Sequence, residues 1–372
     1  MERNLSDIIK KIFFNKYLKI LLAVIIMSIS IVIVYSFYSN SNNKTQLKTD
    51  FRWDMAKGEE IDVYFSQHPY VEAIINKLPD FEKETGIRVN YSIIPEEYYF
   101  DKLSTTLRKF GGPDVFMVGP YYIWEYSAKG YIQNLNYLLK KPEINDPAYD
   151  IDDFHPNVLN TFKWDTYPGH PVGTGGLWGV PMGFEVYSLA YNKRIFNERG
   201  LEPPHTMEEL LALCQTLNEF DGKGTYALAL RGTKSWATIN TGYITTFANY
   251  GGKDFRVENG RLVSTVNSKE SIAMTDMWVR LIKTGGAPTW EKYDWYQASA
   301  DLGAGKAAML FDADNVAYYQ NPVGDSKEAG NIAWIKAPLP EGSKIDSSSL
   351  WSWGLSISSG TKHKEAAWIF LQ

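Results

Sequence analysis

Residues 61–94 read IDVYFSQHPYVEAIINKLPDFEKETGIRVNYSII, and the spacing of their apolar positions changes twice along the stretch. Residues 61–65 alternate between apolar and polar, as a half-buried strand does, and residues 71–81 carry apolar side chains at helical spacing. Gly86 stands where a helix commonly ends in a left-handed residue, and alternation returns at residues 89–93. This order of strand, helix and strand predicts two parallel strands joined by a covering helix.

The same alternation of elements continues through the rest of the chain. Pro95 opens a further helix, and residues 115–118 form a third strand that is apolar throughout. In the second half, Thr206 and Glu209 form the capping box of a helix. Further strands are predicted at residues 189–191, 226–230 and 307–311, and a further helix at residues 272–282. The sequence therefore predicts two α/β units.

The composition narrows the class of protein. The chain has 372 residues, of which 44% are hydrophobic, enough for more than one domain. Its 24 Tyr and 12 Trp residues suit a surface that is apolar and hydrogen-bonding at once, with an aromatic-rich core as the alternative. The net charge of −5 argues against a nucleic-acid binder. Cys214 is the only cysteine, which excludes an intramolecular disulfide and a cysteine-based metal site.

An uncharged apolar run occupies residues 20–38. Basic residues precede it, at Arg3, Lys10, Lys11, Lys16 and Lys19. As a helix the run would span about 28 Å, close to the thickness of the hydrocarbon core, and the basic flank places the N-terminus inside the cell. We predict an uncleaved membrane anchor, with a cleaved signal as the alternative. Residues 1–57 are assigned to this anchor and its tether.

Several short motifs occur in a fixed order. They are DFEKETGIRVN at 80–90, GPDV at 112–115, WGVP at 178–181, FEVYSLAYNK at 184–193, LEPPHTMEEL at 201–210, GKAAM at 305–309, WGLSI at 353–357 and KEAAW at 364–368. In these motifs residues 58–372 resemble the family 1 extracellular solute-binding proteins of ABC importers, whose best-known relative is the maltose-binding protein.

The resemblance implies a two-lobed, class II periplasmic-binding-protein fold of the α/β class, with a mostly parallel sheet flanked by helices in each lobe. The first lobe would hold residues 58–187 and 346–372, and the second lobe residues 188–345. Segments near Glu185 and Leu350 would cross between the lobes. Thr361 is expected to cap a last helix that ends on apolar residues, whereas the family continues further. We therefore expect that a C-terminal part is missing, with an unusually short relative as the alternative.

The resemblance also implies a function. The protein would bind a sugar or oligosaccharide in the cleft between its lobes, and the aromatic richness favours an oligosaccharide. It would pass this carbohydrate to ABC permease subunits from the extracytoplasmic side of the cell membrane. We predict a monomer that has no cofactor, no enzymatic activity and no nucleic-acid partner. A sensor subunit that reports binding to a membrane kinase stays open.

A carbohydrate site needs aromatic rings for C–H faces and polar groups for hydroxyls, and such groups follow the carboxyl ends of parallel strands. With the resemblance, this predicts as ligand-binding residues Gln67, His68, Tyr121, Glu185, Tyr187, Arg231, Trp236, Asp312, Asn315, Trp351 and Trp353. His68 could instead only cap the helix near Pro69, and Tyr121 could only pack within its lobe. Asp114 is expected to be structural. The cluster Trp290, Tyr293, Trp295 and Tyr296 suits helix packing equally well.

Two other functions compete. A ferric-ion binder of the same fold would use the pairs Tyr121-Tyr122 or Tyr318-Tyr319 with His68. An extracellular carbohydrate-active enzyme would need two carboxylates, such as Glu185 and Asp312, but the sequence has no nucleophile elbow, zinc motif or phosphate loop. For the solute binder, Glu185→Ala combined with Trp353→Ala is expected to abolish binding and leave the fold intact.

Overall fold

The computed structural model describes residues 51–109, 112–238 and 242–372. Trp53–Lys140 and Asp150–Gln372 form one compact unit, from which Lys141–Tyr149 is divided. The predicted membrane-spanning run at residues 20–38 lies outside the described residues. Within the three described ranges, no helix is long and apolar enough to cross a membrane.

The strands are β1 (Glu60–Ser66), β2 (Arg88–Ile94), β3 (Val115–Val118), β4 (Lys163–Trp164), β5 (Gly176–Leu177), β6 (Val180–Asn192), β7 (Tyr226–Ala229), β8 (Phe255–Glu258), β9 (Arg261–Ser264), β10 (Ala307–Ala313), β11 (Ile332–Lys336) and β12 (Leu350–Ile357). The α-helices are α1 (Pro69–Ile75), α2 (Leu78–Thr85), α3 (Glu96–Leu107), α4 (Pro120–Ala128), α5 (Asn136–Leu139), α6 (Pro156–Asn160), α7 (Lys193–Arg199), α8 (Met207–Thr216), α9 (Gly242–Asn249), α10 (Lys269–Gly285), α11 (Trp295–Gly303), α12 (Asp314–Tyr318) and α13 (Lys364–Leu371). Short 3-10 turns lie at Pro142–Ile144, Ile151–Asp153 and Trp290–Lys292.

One large sheet carries both lobes. Its strand order is β2-β1-β3-β12-β6-β10-β7, and β11 also pairs with β6. Parallel pairing is found toward the two ends, where β1 contacts β2 and β3 and where β10 contacts β7. Strands β6 and β12 run antiparallel to their neighbours. The sheet is therefore mixed, because the two segments that connect the lobes return in opposite directions.

Strand β6 belongs to both lobes. Its first half pairs with β12 and its second half with β10 and β11. The two predicted crossing segments are hydrogen-bonded neighbours, since Leu350 is opposite Val186 and Trp351 is opposite Glu185. The sequence predicted strand structure here only at residues 189–191, because the pattern changes where the strand passes from one lobe to the other. The predicted lobe boundary at residues 187 and 188 falls inside this continuous strand.

Three local predictions about helices have different outcomes. The single helix predicted at residues 71–81 is in fact two helices, α1 and α2, because Pro79 in a helix interior would remove a backbone hydrogen bond. The helix cap at Gly86 is confirmed by its left-handed φ of 69°, and the capping box of Thr206 and Glu209 is present. Thr361 is not the cap of α13: it accepts a hydrogen bond from the backbone N–H of His363, and the helix begins at Lys364.

Both ends of the sheet have buried cores. Ile61, Val63 and Phe65 on β1 are fully buried in the first lobe. In the second lobe α8 and α10 cover β7 and β10, and the Cys214 side chain lies in that core. Asp114 is structural, as predicted, because its carboxylate accepts the backbone N–H of Asp62 at 2.9 Å. These two cores hold the facing ends of the strands in place.

Candidate functional site

A small cavity lies beside the central strands β6 and β12. Its volume is about 20 Å³, room for one or two water molecules. Its lining consists of His68, Glu96, Glu185, Tyr187, Arg231, Trp236, Ala237, Trp295, Asn315, Val316, Tyr319, Trp351 and Trp353. The structure therefore brings together all the predicted site residues except Gln67, Tyr121 and Asp312. Two wider grooves adjoin the cavity, with volumes of about 730 Å³ and 790 Å³.

Strand geometry explains why residues from distant parts of the chain converge. Side chains two positions apart on a strand share one face, so Glu185 and Tyr187 of β6 point to the same side, as do Trp351 and Trp353 of β12. The register places Trp351 opposite Glu185. The pairing then shifts between Trp353 and Gly354, an irregularity of the kind that redirects side chains. The polar and aromatic residues of the two crossings thus reach one cavity.

Three indole rings form the aromatic part of the site. The Trp351 and Trp353 centroids lie 5.2 Å apart at 81°, and Trp236 lies 5.5 Å from Trp351 and 6.2 Å from Trp353. The two contacts of Trp353 are edge-to-face, an arrangement that is favourable, and Trp236 is tilted by 36° from Trp351. Phe100 supports Trp353 from a parallel plane at 6.0 Å. The rings therefore hold one another at fixed angles and offer faces to C–H groups.

Gly119 makes room for one of these rings. A Cβ atom at this position would lie 2.3 Å from Cζ2 of Trp351, although its φ of −110° suits any residue. We expect Gly119→Ala to lower the free energy of unfolding by about 1–3 kcal/mol, since the indole must move. Urea unfolding measures this. Gly112→Ala is the matched control, because its nearest atom would be 3.2 Å away; equal stability of the two variants would contradict the packing argument.

A buried ion pair supplies the positive charge of the site. The guanidinium of Arg231 donates to Asp312 through Nε at 2.8 Å and Nη2 at 2.6 Å, and Nη1 donates to the Ala237 carbonyl at 3.2 Å. Burial opposes the charge on Arg231, but the charge of Asp312 outweighs it, and the net effect raises the pKa of Arg231. Of the five N–H groups of an arginine, these contacts use three and leave two others.

His68 caps a helix, as considered, and it also lines the cavity. Its Nδ1 accepts a hydrogen bond from the backbone N–H of Tyr70 at 3.3 Å and so caps α1. Its Nε2 lies 3.4 Å from Oε1 of Glu185. Because Nδ1 accepts, the ring proton is on Nε2 and faces that carboxylate. Glu185 is only 5% exposed, and a buried carboxylate of this kind calls for hydrogen-bond donors.

The remaining predicted residues lie around the cavity. Asp312 is behind Arg231 and pairs with it, so it acts on the cavity through the guanidinium. Gln67 lines the 730 Å³ groove. Tyr121 is half-exposed, and its ring packs 5.7 Å from that of Trp351. Tyr187 lines the cavity, and burial raises its pKa well above the ordinary value, so its phenol stays a neutral donor.

Glu96 and Trp295 line the cavity but were missing from the predicted set. Glu96 follows the carboxyl end of β2 in the same way that His68 follows β1, so the rule about strand ends could have found it. Burial raises the pKa of Glu96, although the hydrogen bond from Trp295 opposes the shift. Trp295 belonged to an aromatic cluster that helix packing explained equally well. Nothing in its local sequence distinguishes it from Trp290.

The tyrosine pairs do not form one site. Tyr318 is exposed, while Tyr319 lines the cavity and accepts a hydrogen bond from Asn315 at 3.3 Å. Tyr122 stacks on Phe100 at 3.6 Å. Across the part of the chain that the structure describes, no group of three or more His, Cys, Asp or Glu side chains could hold a metal ion.

Comparison with known proteins identifies the family. Residues 64–372 match the model of a family described as bacterial extracellular solute-binding protein. The chain belongs to this family. The erythritol/L-threitol-binding protein of Mycolicibacterium smegmatis is 35% identical to this solute-binding protein over 334 residues, which are 89% of this chain and 69% of the relative. The multiple sugar-binding protein of Streptococcus mutans is 27% identical over 325 residues, 83% of this chain and 69% of that relative.

Solved structures share the two-lobed fold. An ABC transporter solute-binding protein from Agrobacterium radiobacter in complex with ribitol has a TM-score of 0.74 and 22% identity, and the match covers 85% of this chain and 76% of that one. A maltose-bound protein of T. maritima has a TM-score of 0.71 and 19% identity, with 84% and 76% covered. The predicted α/β fold with two lobes is thereby confirmed. The family and the relatives support the solute-binding interpretation over the ferric-ion and enzyme alternatives.

Proposed function

We propose that this protein binds a short polyol or a small sugar in the cavity between its lobes and delivers it to the membrane subunits of an ABC importer. The observation that carries the proposal is the pairing of a buried carboxylate, Glu185, with three indole rings around one enclosed space. The 35% identical relative is named for erythritol and L-threitol, and its name supports the polyol class.

The chemistry of the cavity suits a chain of hydroxyl groups. Hydroxyls can donate to the Glu185 carboxylate and accept from the two remaining N–H groups of Arg231. The C–H edges of the same carbon chain can lie against Trp236, Trp351 and Trp353. Each polar atom of the solute then has a partner, as removal from water requires.

The size of the cavity favours a short solute. A volume of about 20 Å³ holds one or two water molecules, so the lobes must open to admit any solute, and they must open further for several sugar rings. The aromatic richness that favoured an oligosaccharide is used largely for ring-on-ring packing inside the protein, as the stacking of Tyr122 on Phe100 illustrates. A short polyol therefore requires a smaller opening of the lobes than an oligosaccharide does.

The family supports the rest of the proposed arrangement. Residues 58–187 with 346–372 are proposed as the first lobe and residues 188–345 as the second. Residues 20–38 are proposed to hold the protein at the membrane, with both lobes on the extracytoplasmic side. The protein acts as a monomer, the solute leaves it chemically unchanged, and closure presents the bound form to the permease.

Calorimetry of residues 51–372 with erythritol, ribitol, mannitol, maltose and ferric ion tests the solute class. We expect measurable binding for at least one short polyol and a weaker response to maltose. The physical reason is that a short solute lets the lobes stay close enough for Glu185 and Arg231 to pair with its hydroxyls. Binding of maltose or ferric ion with no response to any polyol would contradict the proposal.

Replacement of Glu185 by glutamine tests the carboxylate directly. Because hydrogen bonds to charged groups contribute about 1.5–3 kcal/mol, we expect Glu185→Gln to raise the Kd of the bound polyol by roughly ten- to a hundredfold. Isothermal titration calorimetry measures the change. Glu258→Gln, at an exposed position on β8, is the control and should leave the Kd unchanged. An unaltered affinity in Glu185→Gln would place the solute elsewhere.

A further inference from the structure

A hydrogen bond crosses the cavity between residues that are far apart in the sequence. The indole Nε1 of Trp295 donates to Oε2 of Glu96 at 2.9 Å. Both residues line the cavity and also the 730 Å³ groove beside it. They therefore stand where the cavity meets the groove, a place we call the mouth.

The two partners belong to different lobes. Glu96 is the first residue of α3, which packs on β1 at one end of the sheet, and Trp295 is the first residue of α11, which packs on β10 at the other end. Hinge motion changes the distance between these two ends. The hydrogen bond can therefore exist only when the lobes are together.

We infer that Glu96 and Trp295 form a latch that closes the mouth after a solute has entered and slows its departure. The statement about solute rests on the proposed function, whereas the contact between the lobes does not. The inference rests on the hydrogen bond that the two residues make with each other. They are positioning residues that act on the lifetime of the closed arrangement.

The indole is held ready for this contact. The Trp295 ring stacks on Tyr296 with centroids 3.5 Å apart, and Trp295 is 7% exposed. The cap of the helix also orients it, because Asp294 and Gln297 form a capping box around the first turn of α11. A preorganised donor loses little side-chain freedom when the bond forms.

The charge around Glu96 adds a second property. Its carboxylate faces His68, Arg231 and Glu185 in the cavity, and Tyr296 lies beside it. Burial raises its pKa in this closed arrangement. The raised pKa means that a proton stabilises closure, and this stabilisation is lost as the pH rises through the raised value. The latch should accordingly hold better as the pH falls.

Dissociation kinetics test the latch against a merely structural role. With the polyol found by calorimetry, we expect Trp295→Phe to raise koff about tenfold with little change in kon. Trp334→Phe is the matched control, because its indole N–H donates at 3.1 Å to the Asp314 carbonyl within the second lobe. Glu96→Gln retains an acceptor and should keep most of the slow dissociation, but it should remove the dependence of koff on pH. Equal values of koff in Trp295→Phe and Trp334→Phe would overturn the latch.

A second experiment tests the latch without a solute. Lys83 and Lys283 are exposed positions on α2 and α10. Spin labels attached to Lys83→Cys and Lys283→Cys report the distance between the lobes by pulsed electron paramagnetic resonance. The native thiol of Cys214 is buried and burial raises its pKa to about 12, so it escapes labelling. We expect a short-distance population that decreases in Trp295→Phe and not in Trp334→Phe. Absence of that population, or the same decrease in both variants, would refute the latch, whereas failure of every polyol to bind would refute only the proposed function.

Discussion

Asp312→Ala is expected to lower the free energy of unfolding by about 3–5 kcal/mol, because it leaves the buried guanidinium of Arg231 without its counter-charge. The side chains of Arg231 and Asp312 are only 6% and 0% exposed, so water cannot replace the lost carboxylate. Two charge-assisted hydrogen bonds are lost together with the ion pair. Urea or guanidinium unfolding of residues 51–372 measures the change.

The double replacement Arg231→Met with Asp312→Leu separates stability from binding. Apolar residues of similar volume often match a buried ion pair in stability, so we expect most of the loss in Asp312→Ala to be recovered. Polyol binding should be abolished in the double variant, because the donors of Arg231 are gone. If the double variant binds as well as the parent protein, the ion pair is purely structural.

Trp353→Ala is expected to lower the free energy of unfolding by about 3–5 kcal/mol, which is the usual range for removing a buried Trp. Trp353 is 1% exposed and contacts Phe100, Trp236 and Trp351. Its removal would leave a void in the centre of the ring cluster. The sequence-based expectation that Glu185→Ala combined with Trp353→Ala would leave the fold intact is therefore revised, because Trp353 supports the site as well as lining it.

Chemical denaturation of Trp353→Ala beside Tyr318→Ala tests this revision. Tyr318 is 58% exposed, and its replacement should change the free energy of unfolding by less than about 0.5 kcal/mol. Trp353→Phe keeps a ring and should recover part of the loss. Similar stabilities of Trp353→Ala and Tyr318→Ala would show that the ring cluster contributes little to the fold.

Much of the candidate site could be predicted because the end of each strand is visible in the sequence as the end of its apolar pattern. His68, Arg231 and Asn315 all follow strands whose apolar patterns are clear, and polar residues at the carboxyl ends of such strands gather at one edge of a sheet. Glu185 stood out as a charge within an apolar run. These signals are local, so they can be recognised without knowing which strands and helices pack against one another.

Trp295 and Glu96 could not be identified as a pair in this way. Their hydrogen bond depends on how the two lobes face each other, and no spacing in the sequence encodes that distance. The full length of β6 was missed for a related reason. A strand that passes from one environment to another has no single burial pattern, so only pairing with β10, β11 and β12 defines it.

The amino-acid sequence by itself determined the alternation of strands and helices, the family, and the class of chemistry that the strand ends can perform, because short-range patterning controls backbone conformation and burial. The tertiary structure alone showed that Trp353 is buried, that Asp312 forms an ion pair with Arg231, and that Trp295 donates a hydrogen bond to Glu96. Those facts depend on contacts between residues far apart in the chain, and such contacts exist only after both ends of the sheet are assembled.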